Sequence, residues 1–552
     1  MLVKNLFPSI TLWHLAIFIT IFINQFIESA YLINRDMSLN RSNVPKNILA
    51  TSLIGRNYTA QSIHYRSIPQ VIFENEYFNR KRPLEMINPF NEDDYFKLIA
   101  TIKGAAVQSY LPYYKIYEQV AKEINADLFV CDYLINHPCF DLAWKLGKPA
   151  VVIFTDTFYV SSPPYKSNPI YRHGCHANME NESFYNRFKC EIIFPLRNSW
   201  NTIDAIKDLN AQRAIVGVDP LWNMKGRVSN LLILTNNFFG YEIPSADSPL
   251  HQEIGPILPD TFPSLTPVID SFLSTHPRTI YFALGTNVII PPQKAIIILK
   301  SFLELINENV IDGLIWSYGK TDISKLSQST NSSIPLSTIL NNEHPHIHIS
   351  KSSPQFAILS HENTKVFLSH GGAASCHESM YTATPMLVLP IFGDQPRNAE
   401  KLEFAGIALK LSKMNLKVDD IVSNIKRLLN EESFKKNAER LQFLAKVNSK
   451  RKYRGADLIE VVMNTVKYEG IEDENGGFKI DNENLLRDWI TPDTRMGFIR
   501  GKYLDVYGVA IILFLMLSGG FVYVLLKTVR YIYIKFRSGN VNSQASLKSK
   551  RE

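Results

Sequence analysis

The sequence has few cysteines, no zinc-site spacing of cysteine and histidine, and no glycine-rich dinucleotide fingerprint after a strand. Five cysteines in 552 residues are too few for a disulfide scaffold, and their number is odd. Glycine (25) and proline (29) occur at ordinary frequency, which excludes a collagen-like or largely disordered chain. What remains is a globular protein long enough for about two to four domains.

Positive charge is concentrated at the carboxyl end of the chain. The whole sequence has 59 Lys and Arg residues against 52 Asp and Glu residues, a formal charge of +7. Residues 527–552 carry most of this excess, and residues 31–526 are almost neutral. A nucleic-acid-binding protein that uses a basic face is therefore disfavoured, and we expect no nucleic-acid partner.

The two ends of the chain predict a membrane protein. Residues 1–30 have a short basic start, an apolar stretch and small residues at the end, which is the pattern of a signal peptide; an uncleaved anchor helix is the alternative. Residues 506–526 contain no charge and are long enough to form a transmembrane helix. The basic tail, residues 527–552, then predicts a cytoplasmic end and a lumenal body in a single-pass type I protein.

Two features point to the endoplasmic reticulum membrane. Lys548 and Lys550 are the fifth and third residues from the carboxyl end and resemble a dilysine retrieval signal, although a tail attracted to anionic lipid is the alternative. A glycoprotein with a lumenal body is also consistent with the N-glycosylation sequons. These are at Asn40, Asn57, Asn181 and Asn331.

The cysteines fall into two groups. Cys175 and Cys190 lie in one polar stretch and can pair in an oxidising lumen. Cys131, Cys139 and Cys376 lie in apolar surroundings, and we expect them to be buried thiols.

Short apolar runs alternate with helical patterns along the chain. The runs are residues 46–53, 128–131, 150–154, 279–284, 313–316, 346–349, 366–368 and 386–391. This alternation is typical of parallel sheets in an α/β fold. A proline-rich stretch, residues 256–278, predicts the linker between an N-terminal domain (31–255) and a C-terminal domain (279–500). We also expect one long helix over residues 436–461.

The clearest chemical signal begins where the strand predicted at 366–368 ends. His370-Gly371-Gly372 opens a helix there, and its glycines let a ligand approach the backbone closely. The first N–H groups of the helix suit a phosphate, and His370 can donate to the same oxygens. On its own this turn is weak evidence, since it is also compatible with an ordinary tight turn.

Acidic residues follow at two positions that suit sugar hydroxyls. Glu378 lies one turn into the helix, where a carboxylate can accept both hydroxyls of a ribose. Asp394-Gln395 follows the next strand, and a carboxylate beside an amide suits the vicinal hydroxyls of a sugar. This pair is compatible with glucose, glucuronate, galactose and N-acetylglucosamine.

The spacing of these residues resembles the donor signature of the eukaryotic membrane-bound UDP-glycosyltransferases, also called the UDP-glucuronosyl and UDP-glucosyltransferase family. The pattern consists of His-Gly-Gly, Glu378, Pro385, Asp394-Gln395 and Asn398. The resemblance covers most of residues 100–526. Further elements match in the same order. They are Leu284-Gly285-Thr286, Leu314-Ile315-Trp316 and Pro354-Gln355.

This resemblance implies an α/β fold of the GT-B type, with two Rossmann-like domains, an interdomain cleft and one C-terminal transmembrane helix. It implies inverting transfer of a hexosyl group from a UDP-sugar to a hydroxyl of a lipophilic acceptor, such as a sterol, a lipid or a xenobiotic-like compound. The expected partners are the UDP-sugar, the hydrophobic acceptor and the membrane, with a homo-oligomer left open. Neither a cofactor nor a metal is expected.

The resemblance also implies roles for individual residues. The residues implied for donor binding are Thr286, His370, Gly371, Gly372 and Ser375 near the diphosphate, Gln355 near the uracil, Glu378 at the ribose, and Asp394 with Gln395 at the sugar. Asp132 would be the carboxylate that orients the general base, although a helix or turn cap is its alternative role.

The sequence departs from the family at three places. Ser352 stands where a tryptophan would stack on uracil, an interaction of about 1–3 kcal/mol. Ala374 replaces an asparagine near the phosphates. Tyr58 lies roughly where the general-base histidine belongs, so the catalytic base is unknown, with Tyr58 and His64 as weak candidates.

The positions that match the family and those that depart from it lead to two hypotheses. The first is an active UDP-dependent hexosyltransferase, which the intact Glu378 and Asp394-Gln395 favour. The second is a catalytically degenerate homologue that serves as a membrane-anchored binding or scaffold subunit, which Ser352, Ala374 and the missing general-base histidine favour.

Overall fold

The computed structural model describes part of the chain. The described residues are 48–51, 92–133, 136–154, 175–176, 180–222, 227–244, 248–285, 288–326, 336–391, 394–472, 478–480, 485–490 and 492–548. Several predicted features lie outside them: the signal peptide (1–30), Tyr58, His64, Thr286, Lys550 and the sequons at Asn40, Asn57 and Asn331. The chain divides into two units, Met1–Arg487 and Asp488–Glu552, which are treated separately below.

Within the described residues, the first half of the larger unit is built on a five-stranded parallel sheet in the order β1-β2-β3-β4-β5. The strands are β1 (Ile48–Thr51), β2 (Leu128–Asp132), β3 (Ala150–Phe154), β4 (Leu232–Thr235) and β5 (His251–Glu253). The helices are α1 (Glu92–Ile124), α2 (His137–Leu146), α3 (Phe184–Phe188) and α4 (Phe194–Ile215), with a π-helical turn at Lys189–Ile193. Strands β2 and β4 are buried throughout, as expected for parallel strands covered by helices.

The second half is built on a six-stranded parallel sheet in the order β11-β10-β9-β6-β7-β8, again within the described residues. The strands are β6 (Thr279–Ala283), β7 (Gly313–Ser317), β8 (Ile347–Ser350), β9 (Thr364–Ser369), β10 (Met386–Val388) and β11 (Ala408–Lys410). The helices are α5 (Pro267–Thr275), α6 (Pro292–Asn307), α7 (Leu336–Leu340), α8 (Gln355–Ser360), α9 (Ala373–Thr382), α10 (Gln395–Phe404), α11 (Val418–Asn430), α12 (Glu432–Asn448) and α13 (Arg451–Glu469). A short antiparallel hairpin follows, formed by β12 (Ile471–Glu472) and β13 (Phe478–Lys479).

The second sheet separates two hydrophobic clusters. Ile280 and Phe282 of β6 pack in one cluster, and Tyr281 and Ala283 pack in the other. Successive side chains of a strand point to opposite faces, so a strand that is apolar at every position needs helices on both sides. The two parallel sheets, each with helices between its strands, confirm the predicted α/β architecture of two Rossmann-like halves.

The strand order of the second sheet reverses at β6, which pairs with β7 on one side and β9 on the other. In open parallel sheets, ligands bind at the carboxyl ends of the strands beside such a reversal, because the chain leaves neighbouring strands in opposite directions. The residues that follow β6 and β9 therefore mark the expected ligand site.

The predicted helix over residues 436–461 was wrong, because two helices cover this stretch. Helix α12 ends at Asn448 and α13 begins at Arg451. The side chain of Asn448 donates to the backbone oxygen of Leu444 at 2.8 Å, and Ser449 Oγ donates to the oxygen of Lys446 at 2.9 Å. Asn and Ser compete for backbone hydrogen bonds in this way and favour helix ends.

The disulfide pattern corrects one expectation and confirms two others. Cys131 and Cys139, predicted to be free thiols, form a disulfide, because the chain turns back after β2 and places their Cα atoms 5.9 Å apart. Cys175 and Cys190 are bonded as predicted. Cys376 is a buried free thiol, also as predicted.

The smaller unit contains α14 (Pro492–Gly501) and α15 (Leu504–Lys548). Within the described part of the chain, one segment, Leu504–Arg537, is long and apolar enough to cross a membrane. It includes the predicted transmembrane residues 506–526.

Candidate active site

Two glycine-containing turns meet where the strand order reverses. Gly285 follows β6, and His370-Gly371-Gly372 follows the neighbouring strand β9. A Cβ atom on Gly285 would lie 2.8 Å from Nε2 of His370, and a Cβ atom on Gly372 would lie 2.5 Å from the same nitrogen. The imidazole is therefore held between two positions that only glycine can occupy without a shift, and His370 is only 5% exposed.

The His-Gly-Gly turn leads directly into α9. Gly371 has a φ of +81°, and a Cβ atom there would lie 2.7 Å from Cγ1 of Val388 in β10. Gly372 precedes the first residue of α9, so the free N–H groups of that helix begin beside the His370 ring. These groups and the helix dipole together favour an anionic ligand at this point.

The imidazole of His370 is uncharged at neutral pH. Burial lowers the pKa of His370 to about 4. Oγ of Ser369 lies 3.4 Å from Nδ1 of His370 and also accepts a hydrogen bond from the N–H of Gly371 at 3.3 Å. A neutral imidazole keeps one N–H, so His370 can donate one hydrogen bond to a ligand oxygen without adding a full positive charge.

Three of the predicted donor residues are joined by hydrogen bonds. Gln355 is the first residue of α8, while Ser375 and Glu378 lie one turn apart on α9. Nε2 of Gln355 donates to Oε2 of Glu378 at 2.8 Å and to Oγ of Ser375 at 3.3 Å. The structure thus brings the residue expected near the uracil into contact with the residues expected near the ribose and the diphosphate.

Glu378 has an unusual ionisation. Burial raises the pKa of its carboxyl group to about 7, and the hydrogen bond from Gln355 offsets only part of that effect. At neutral pH the group is therefore divided between its protonated and ionised forms. The ionised form accepts hydrogen bonds through both oxygens, which is what a pair of neighbouring hydroxyl groups requires.

Asp394 is tied to the His-Gly-Gly turn through Asn398. Nδ2 of Asn398 donates to Oδ2 of Asp394 at 2.6 Å and to the backbone oxygen of Gly371 at 3.0 Å. Asn398 belongs to the sequence pattern, but its role as this tie is visible only in the structure. Gln395 is fully buried, and its Oε1 accepts a hydrogen bond from the N–H of Ile391 at 2.9 Å.

The comparison with known proteins agrees with this arrangement. Residues 227–463 match the family described as "UDP-glucoronosyl and UDP-glucosyl transferase", and this segment contains all the groups described above. Over this segment the chain is similar to the UDP-glycosyltransferase family. The resemblance predicted from the sequence is thereby confirmed.

Similar UDP-glycosyltransferases come from fungi and mammals. The chain is 34% identical over 354 residues to a UDP-glycosyltransferase of Talaromyces amestolkiae, covering 61% of this chain and 64% of that one. It is 28% identical over 423 residues to UDP-glycosyltransferase 1 of Phaeomoniella chlamydospora, covering 74% and 83%. It is 25% identical over 273 residues to UDP-glucuronosyltransferase 1A6 of Mus musculus, covering 48% of each. The chain thus spans just under two thirds of the first of these relatives.

Other predicted positions lie apart from that cluster or differ from the family pattern. Asp132 is buried at the carboxyl end of β2, in the first sheet, and its role beside a base stays a prediction. Ser352 is exposed, and its neighbour Ser353 is hydrogen-bonded to Ser317 at 2.6 Å. Ala374 is partly buried in the first turn of α9.

Among the described residues, no three His, Cys, Asp or Glu side chains are grouped to hold a metal ion. The histidines near β8 make other contacts. Nδ1 of His346 donates to the backbone oxygen of Asp312 at 2.8 Å, and the His346 ring meets the His276 ring edge-on at 5.6 Å. These contacts suit packing between loops at the edge of the second sheet.

Proposed function

We propose that this protein is a UDP-glycosyltransferase, which moves a hexosyl group from a UDP-sugar to a hydroxyl group of a lipophilic acceptor, with inversion at the anomeric carbon. The observation that carries the proposal is the row of groups that follow β8, β9 and β10 at the carboxyl edge of the second sheet. Gln355, Glu378, His370 and Asp394 line this edge. A ligand with a ribose diol, a diphosphate and a hexose would match these groups in turn.

In this proposal each part of the donor has its own partners. The ionised Glu378 accepts the two ribose hydroxyls, and the Gln355 side chain turns from Glu378 towards the uracil. The diphosphate lies at the amino end of α9, where His370 and Ser375 donate to it together with Thr286. Asp394 and Gln395 are assigned to the hexose hydroxyls.

The reaction is a single displacement. The acceptor hydroxyl forms a bond to the anomeric carbon while the bond from that carbon to the diphosphate oxygen breaks, so the configuration inverts. A base takes the hydroxyl proton, with Asp132 as its orienting carboxylate and His64 or Tyr58 as candidates for the base. Negative charge develops on the departing UDP beside the N–H groups of α9, which stabilise it.

We also propose that α15 anchors the protein in the endoplasmic reticulum membrane with its body in the lumen. Support comes from the signal-like residues 1–30, the uncharged residues 506–526 and the basic residues that follow. A lipophilic acceptor dissolved in the same bilayer would then reach the protein without crossing bulk water.

The test is calorimetric titration of the full-length chain, purified in detergent, with UDP and four UDP-sugars. The sugars are glucose, galactose, glucuronate and N-acetylglucosamine. We expect UDP and at least one UDP-sugar to bind, and Asp394→Ala to weaken UDP-sugar binding by about tenfold while UDP binding changes by less than about twofold. Asp312→Asn, which removes a surface carboxylate paired with Arg278, is the matched control and should change neither.

A folded sample that binds no UDP ligand at millimolar concentration would contradict the proposal. The same result would support a degenerate homologue that acts as a binding or scaffold subunit. If donor binding is found, transfer of a radiolabelled hexose to sterol and lipid mixtures tests the acceptor class.

A further inference from the structure

A second polar cluster lies beside the proposed donor site and is completely buried. Glu242 belongs to the chain between β4 and β5, whereas Arg397 and Lys401 belong to α10. Oε1 of Glu242 accepts a hydrogen bond from Nη2 of Arg397 at 2.9 Å, and Oε2 accepts one from Nζ of Lys401 at 2.7 Å. The three side chains are each no more than 1% exposed. The first half of the protein thus reaches the second half through a buried ion cluster.

Each oxygen of the Glu242 carboxylate accepts two hydrogen bonds. Nδ2 of Asn237 donates to Oε2 at 2.5 Å, and the N–H of Ile243 donates to Oε1 at 3.0 Å. Burial alone would raise the pKa of Glu242, but Arg397 and Lys401 more than offset this and hold it at about 2. Glu242 therefore keeps its charge, and its four hydrogen bonds, at any physiological pH.

The same loop also contacts α9. The ring of Tyr241 lies 4.9 Å from Nζ of Lys401 and meets the ring of His377 edge-on at 6.2 Å. His377 belongs to α9, and it is buried with 1% exposure. One short loop from the first half therefore rests against both helices whose amino ends form the proposed donor site.

Helix α10 and the residue before it carry two rows of polar side chains, called stripes here, and through them the contact with Glu242 affects the proposed donor site. Arg397 and Lys401 are one turn apart and face Glu242, while Asp394 and Asn398 are also one turn apart and face the His-Gly-Gly turn. Neighbouring residues of a helix differ by about 100° around its axis. A helix held on the first stripe cannot rotate without moving the second, so the ion cluster determines where Asp394 points.

We propose that Glu242 is a positioning residue that holds the start of α10 in the orientation that presents Asp394 to the sugar of the UDP-sugar. This inference rests on the proposed function, because it assumes that Asp394 contacts the hexose. Glu242 itself touches neither donor nor acceptor in this proposal. Its removal should therefore impair recognition of the hexose more than recognition of UDP.

A purely structural role is the competing explanation, and the chain contains a matched control for it. Asp141 in the first half is also a fully buried carboxylate between two cations, Arg213 at 2.7 Å and Arg227 at 2.8 Å. It also accepts a hydrogen bond from the hydroxyl of Tyr110 at 2.9 Å. Asp141→Asn breaks a cluster of the same chemistry that has no contact with α10.

The experiment measures the affinities for UDP and for the tightest-binding UDP-sugar in full-length protein, together with the melting temperature. Glu242→Gln keeps the shape and removes the charge. We expect it to weaken UDP-sugar binding by about tenfold more than UDP binding, the equivalent of one lost hydrogen bond to the sugar. Asp141→Asn should lower the melting temperature to a similar extent and leave the ratio of the two affinities unchanged.

Two further variants keep the proposal testable if Glu242→Gln does not fold. Glu242→Asp retains the charge and should keep the ratio of UDP-sugar affinity to UDP affinity close to that of the unmodified protein. Arg397→Gln leaves Glu242 paired with Lys401 and should lower this ratio by less than Glu242→Gln does. An unchanged ratio in folded Glu242→Gln and Arg397→Gln would overturn the inference, as would an equal change in Asp141→Asn. If the unmodified protein binds neither UDP nor any UDP-sugar, the proposed function fails first.

Discussion

Glu378 links the proposed donor site to pH at the scale of a single residue. The pKa of this carboxyl group is about 7 because the group is buried. If only the ionised form of Glu378 accepts the ribose hydroxyls, the carboxyl group must lose its proton before UDP can bind at lower pH. We therefore expect the affinity for UDP to be constant above about pH 8 and to fall below pH 7 by up to about tenfold per pH unit. Calorimetric titration with UDP over this range measures the effect.

The variant Glu378→Gln separates this effect from the ionisation of UDP itself. A carboxamide does not titrate, so the variant should bind UDP more weakly and keep only the pH dependence of the ligand's phosphate. An identical slope in both proteins would show that Glu378 does not take part in ribose binding.

At the scale of elements, the meeting of the turns after β6 and β9 depends on the absence of a side chain at Gly285. This residue has a φ of +75°, and a Cβ atom there would collide with the His370 ring. We expect Gly285→Ala to lower the free energy of unfolding by about 1–3 kcal/mol and to weaken UDP binding, because His370 must move. Chemical denaturation and calorimetry measure the two effects.

Gly497 provides the control for backbone strain without the collision. It also has a φ of +75°, but a Cβ atom there would meet nothing within 4 Å. Gly497→Ala should therefore cost about 1–3 kcal/mol through backbone strain alone and leave UDP binding unchanged. A loss of UDP affinity that is equal in the two variants would contradict the role of the His370 contact.

The sequence predicted the strands of the second sheet well because local pattern decides them. Continuous apolar runs with turn residues on both sides predicted β6 and β9, and the His-Gly-Gly spacing predicted the start of α9. The break between α12 and α13 was missed because apolar periodicity continues across it. Helices α1 and α4 were also missed, since their sequences have no comparable chemical pattern.

The contacts between halves could not be predicted from the sequence at all. Glu242 and Arg397 are 155 positions apart, and neither lies in a motif that pairs them. The disulfide between Cys131 and Cys139 depends likewise on how the chain turns after β2. Local patterns indicate which residues carry chemistry, whereas the packing of the two halves determines how those residues are held.

At the scale of the whole molecule, α15 predicts how the protein is held in the cell. The segment Leu504–Arg537 is apolar, and none of its most hydrophobic stretch is buried within the protein. About 20 helical residues span the hydrocarbon core of a lipid bilayer, which is about 30 Å thick, so the segment is long enough to cross one. The basic residues that follow then favour a cytoplasmic tail.

In microsomes from cells that express the full chain, we therefore expect the protein to resist extraction by alkaline carbonate. Added protease should remove an epitope at the carboxyl end, residues 527–552, and spare the body until detergent is added. A variant that lacks residues 504–552 should be released by carbonate, whereas one that lacks only residues 538–552 should stay. Protection of the carboxyl-terminal epitope would show the opposite orientation, and release of the full chain by carbonate would show that α15 does not span the bilayer.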